Sequence, residues 1–96
     1  MVEAPVLAMV LGHVRNAVAA FAQADDPSGE SLFLAADCLE LEGHLVGLGL
    51  APVSIPPDPD GFACLASAAA LLGEQPELVP PLVWESLQLL LARAEQ

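Results

Sequence analysis

Apolar residues recur along the chain at helical intervals, and prolines and glycines cut the pattern into four stretches. Between Pro5 and Ala24, residues Val6, Val10, Val14, Ala17 and Phe21 share one face; Leu7, Leu11 and Val18 widen it, and Arg15, Asn16 and Gln23 lie opposite. This spacing predicts a helix over 5–24. The segment ADDPSGES ends it, since Pro27 and Gly29 do not suit a helix interior, while Asp26 before Pro27 reads as a cap and first turn. A second helix is expected over 28–46, closed by Gly47 or Gly49 in the left-handed conformation. The proline-rich APVSIPPDPDG that follows is neither helix nor central strand, and it reads as a crossover. Asp60 is the expected cap of a third helix over 61–72, closed by Gly73. The alanines of that helix call for close packing against a neighbour. Pro80 and Pro81 fit the first turn of a fourth helix over 80–94, whose core stripe is Val83, Leu87, Leu90, Leu91 and Ala94, with Trp84 at its edge. No repeat and no strand pattern is visible. The expected fold is all-α: a single domain, a compact four-helix antiparallel bundle.

The second helix carries an excess. Leu32, Leu39 and Val46 line one face with Ala35 between them, while Leu34, Leu41, Leu45 and Leu48 line another. Leu82 and Leu89 repeat this more weakly on the fourth helix, on a side shared with Glu85, Ser86 and Arg93. One stripe of each helix fills the core. The other stripes reach the far side of that core or meet a second molecule. The residues assigned to an interface are Leu34, Leu41, Leu45, Leu48, Leu82 and Leu89.

Composition sharpens this expectation. The chain has 96 residues, 55% of them hydrophobic, and yet a formal net charge of -11 from Asp+Glu 13 against Lys+Arg 2. An acidic coat keeps the molecule dispersed, while the apolar surplus favours burial against another chain, so a homodimer or a helical, basic protein partner is expected. Arg15 and Arg93 are the only fixed cations. Nucleic-acid binding needs a basic surface, and an anionic membrane surface repels this charge, so neither is an expected partner. The apolar N-terminal run starts with Glu3 instead of a basic region and has no clean cleavage site. No uninterrupted apolar run reaches bilayer length, and cytoplasmic location is the expectation. Cys38 and Cys64 form no CxxC pair and are expected reduced and buried.

Chemistry is concentrated in ADCLELEGHL, Ala36 to Leu45. Asp37, Glu40 and His44 share a helix face at offsets of three and four positions, a geometry that permits half of a metal site or an acid–base pair. A complete metal site needs more ligands. The bundle pattern Glu-x-x-His is absent before both His13 and His44, so the three read as a solvated face. Cys38 lies six positions from His44 and points elsewhere, which leaves it without an activating base. The Asp-x-Asp-Gly of Asp58 to Gly61 lacks the further ligands of a calcium loop and reads as a turn with a helix cap. No catalytic residue, metal or cofactor is expected.

Asp37-Cys38-Leu39, followed by Ile55-Pro56-Pro57-Asp58, resembles the acyl carrier proteins, which are small acidic four-helix domains. In that family Asp-Ser-Leu opens the second helix and its serine carries phosphopantetheine, and an IPD-like segment follows. Here cysteine stands at the serine position, and Asp37 falls inside a continuous helical pattern. The resemblance implies an acyl-carrier-like domain, and the fourth helix is longer and more apolar than the family implies. The leading expectation is a noncatalytic helical module for homodimerisation or docking. A bundle enclosing a small apolar ligand among Phe21, Phe33, Phe62 and Trp84 is the alternative.

Overall fold

The computed structural model describes residues 3–49, 51, 53–73 and 75–95. They are all-helical: α1 (Glu3–Gln23), α2 (Glu30–Val46), α3 (Gly61–Leu72) and α4 (Pro81–Ala92), with single 3-10 turns at Pro76–Leu78 and Arg93–Glu95. No strand occurs among the described residues. The radius of gyration is 12.5 Å, as expected for a compact chain of this length.

α1 is the central helix and packs along both α2 and α3; α4 packs against α2 and α3. Its buried residues Val10, Leu11, Val14, Ala17 and Phe21 span a wide arc because it has neighbours on two sides, and Val6, Leu7 and Val18 flank them half-buried. The window Val6–Gln23, with a mean hydropathy of 1.3, is long and apolar enough to cross a membrane by length and composition alone. In this fold 33% of that window is buried, and the helix packs against α2 and α3.

Local chemistry explains the boundaries. α2 starts at Glu30, two residues later than the pattern suggested, because Gly29 sits at φ 79° and turns the chain immediately before it. Asp26 still organises this start from a distance. One carboxylate oxygen accepts from the Ser28 backbone N–H (3.0 Å) and hydroxyl (2.7 Å), and the other from the Ser31 N–H (2.9 Å) and hydroxyl (3.0 Å). These bonds, the Ser28 hydroxyl's first among them, pull the Asp26 carboxyl down to about 2. At the other end of α2, Gly47 stays right-handed and Gly49 takes the left-handed conformation at φ 84°. Asp60 caps α3 as expected, accepting from the N–H groups of Phe62 (3.0 Å) and Ala63 (3.2 Å). Close approach of α1 and α3 occurs at Gly61, where a Cβ would lie 2.6 Å from the Phe21 ring. Of the alanines in α3, Ala68 is the one in the core, while Ala66 and Ala70 are exposed. Val83, Leu87 and Leu90 of α4 are buried and Leu91 is half-buried, but Ala94 is exposed, since α4 ends at Ala92.

The crossover is strapped to α1. The Val53 N–H donates to the Ala8 carbonyl at 3.3 Å, and Asn16 Nδ2 donates to the carbonyls of Ile55 (3.1 Å) and Pro56 (3.3 Å). Asn16, expected on the solvent face, therefore holds a loop. Gly12 makes the contact possible, because a Cβ there would collide with the Val53 carbonyl oxygen and the Ile55 side chain.

Candidate interaction surfaces on α2 and α4

α2 presents three faces. Leu34, Cys38, Leu41 and Leu45 are buried, at 4% exposure or less. Leu34, Leu41 and Leu45, assigned above to an interface, are therefore core residues of a single copy. Leu48, Leu82 and Leu89 are exposed, as an interface role requires. The row that faces outward on α2 is the other one: Leu32 is 64% exposed, Leu39 55% and Val46 49%. A signal for this choice lies in the spacing. Positions 34, 38, 41 and 45 carry Leu, Cys, Leu and Leu without a gap, whereas the outer row alternates large and small as Leu32, Ala36, Leu39, Gly43 and Val46. The continuous row buries more apolar area per turn, so it takes the core.

The outer row has the four-three spacing of a coiled-coil seam, with exposed Ala36 and Gly43 between its large residues. A Cβ on Gly43 would meet nothing within 4 Å. Small residues at alternate positions let a second helix backbone approach closely. No charged side chain belongs to the row itself.

The third face of α2 borders a groove of about 200 Å³ between α2 and α4. From α2 come Asp37, Glu40, Leu41 and His44, so the three chemistry-bearing residues singled out in the sequence do share one site. From α4 come Ser86, Leu89, Leu90 and Arg93. Arg93 was not foreseen as part of it. Its guanidinium donates to Asp37 at 2.7 Å and to Glu30 at 2.9 Å, so the end of α4 is tied to the start of α2. These bonds, that to Glu30 first, push the Arg93 pKa up. The Asp37 carboxylate is thereby engaged with a cation. Among the described residues no group of three His, Cys, Asp or Glu converges to hold a metal ion. A second hollow of about 390 Å³ lies between Gly12, Arg15 and Asn16 of α1 and Val53–Ile55. Of its polar side chains, Asn16 serves the crossover strap and Arg15 faces Glu42.

Cys38 has no exposed surface, and burial, with the neighbouring Asp37 charge, pushes its thiol up to about 12. An acyl-carrier role requires an accessible group at the opening of the second helix. Here position 38 is sealed in the core and Asp37 sits more than a turn inside α2. Cys64 is also buried and free, its thiol pushed up by burial. The aromatic residues do not wall one cavity: Phe21 and Phe62 pack edge-to-face at 5.0 Å, while Phe33 is 68% exposed.

No family model, curated protein or solved structure matches the chain.

Proposed function

We propose that the chain is a noncatalytic helical interaction module that pairs with a second copy of itself through the outer row of α2. The supporting observation is that row: five positions at four-three spacing, large and small in alternation, exposed along the helix and free of charge. The order large-small-large-small-large reads the same in both directions. Antiparallel pairing about a two-fold axis between Leu39 and Gly43 sets Leu39 of one copy against Gly43 of the other and Val46 against Ala36, in an isologous contact. The four helices within each copy are proposed to run antiparallel, consistent with Arg93 at the end of α4 reaching Glu30 at the start of α2.

Energetics set the expected strength. The three large residues of the row are roughly half exposed, so covering them returns on the order of 1 kcal/mol each, against an association cost of several kcal/mol. The dimer is accordingly weak and concentration-dependent. Two copies of net charge -11 also repel, so added salt strengthens the pairing. Sedimentation equilibrium from micromolar to millimolar protein, at low and high salt, tests this. A mass that stays at one copy throughout, or a wild-type dimer unchanged in Leu39→Glu, removes the proposal.

A further inference from the structure

The α2–α4 groove differs from the outer row in the feature that selects a partner. Its floor is apolar, with Leu41, Leu89 and Leu90, and Leu89 is 69% exposed. The apolar strip continues beyond it: Leu82, two helical turns before Leu89 on the same side of α4, is 58% exposed, and Phe33, one turn before Asp37 on the same flank of α2, is 68% exposed. The rim is acidic, from Asp37 and Glu40 with Glu30 at one end. A second copy offers that rim one exposed and loosely paired cation, Arg15, against a net charge of -11. The chain has only two fixed cations; Arg93 already bridges Glu30 and Asp37, and Arg15 lies 3.8 Å from Glu42.

The geometry points to the groove as a docking site for a basic amphipathic helix from a different protein, its apolar residues against Leu82, Leu89 and Phe33 and its lysines or arginines beside Glu40 and the still net-negative Glu30–Arg93–Asp37 cluster. From Leu82 to Arg93 the exposed strip and the groove together run about 16 Å at 1.5 Å per residue, which accommodates three turns of helix. Anchors at i, i+3 or i+4, and i+7 span it. Charge gives direction and rate: the field of a molecule at -11 draws a cationic helix, and the cost of desolvating Glu40 is offset only if a cation meets it. This rests on reading the chain as an interaction module, but it uses a different face of α2 from the self-pairing row.

The test is titration of the 96-residue chain, labelled with nitrogen-15, with a synthetic Leu/Lys amphipathic helical peptide of about four turns. Amide shifts are followed by NMR, and affinity is read at low and moderate salt. The expected result is saturable shifts centred on residues 33–44 and 82–93, with an affinity that falls as salt rises. Leu89→Ser and Glu40→Lys, both at exposed positions, should each weaken binding by about tenfold. Leu39→Glu should leave the peptide affinity unchanged while abolishing self-pairing, so the two readings fail separately. The inference is overturned if shifts scatter over the whole acidic surface, if the same peptide with Glu in place of Lys binds equally, or if no saturation occurs. Groove shifts produced by raising protein concentration alone would make a second copy the occupant and overturn it as well.

Discussion

Two rows on α2 have nearly the same composition and opposite environments. Leu34, Cys38, Leu41 and Leu45 sit against α1 and the rest of the core with almost no exposed surface, while Leu32, Leu39 and Val46 stand about half exposed on the same helix. Hydrophobicity does not separate them, since either row taken alone would serve a bundle. Side-chain volume does: the inner row carries three leucines and a cysteine in unbroken succession, while Ala36 and Gly43 leave the other row grooved. A grooved row makes a poor core, but it suits a second backbone brought close. The same helix thus stabilises the fold on one side and offers a shape for recognition on the other.

Chemical access offers the largest contrast between the rows. With its thiol at about 12 instead of the ordinary 9.0, Cys38 carries on the order of a thousandfold less thiolate at a given pH, and it is fully buried. Alkylation of Cys38 in the native protein is expected to follow global unfolding, whereas Leu39→Cys on the outer row should react at once. Mass-spectrometric labelling kinetics with and without urea reads both, and fast native labelling of Cys38 would erase the contrast.

Stability should separate the rows next. Leu41→Ala is expected to cost about 2–5 kcal/mol, the range for opening a cavity among close-packed leucines, whereas Leu39→Ala in dilute monomer should stay within about 0.5 kcal/mol. Urea denaturation of the two variants measures the difference, and equal losses would mean that the outer row is also covered within one copy. Gly12→Ala carries the comparison to α1, whose buried positions pack against both helices and the crossover. The added methyl meets the Val53 carbonyl, so a loss of about 1–3 kcal/mol in the same experiment is expected.

The smallest expected effect concerns the Asp26 anchor at the start of α2. Asp26 is held at about 2 in the folded chain against an ordinary 3.8, so its contribution to stability is complete above about pH 4 and is lost as pH falls toward 2. Wild-type urea midpoints are expected to drop across that window more than those of Asp26→Asn, which has no carboxyl to titrate there. Parallel pH profiles for the two proteins would show that the Ser28 and Ser31 bonds do not favour the ionised Asp26 carboxylate in the folded chain.

Much of the architecture is legible in the residues. Helical periodicity between proline and glycine breaks gives all four helices, the Asp60 cap and the buried thiols, because each depends on local spacing or on intrinsic burial preference. Gly12 and Asn16 were not legible. A glycine inside an apolar helix has no local reason, and its partner Val53 lies 41 positions away across the crossover. Arg93 was placed on the correct side of α4, but its pairing with Glu30 and Asp37 depends on how α4 meets α2. At the candidate site, Asp37, Glu40 and His44 share a face as their offsets required. That this face closes a groove with α4 is a tertiary fact.

The sequence by itself determined that this chain is helical, acidic, and more apolar on α2 than one contact can use, since periodicity and composition need no partner to be read. Only the tertiary structure decided which of the two α2 rows turned inward. Periodicity fixes the angle between two stripes on a helix, but the rotation of that helix about its own axis is set by its neighbours. Packing against α1 and α4 favours the orientation that buries Leu34, Leu41 and Leu45 together.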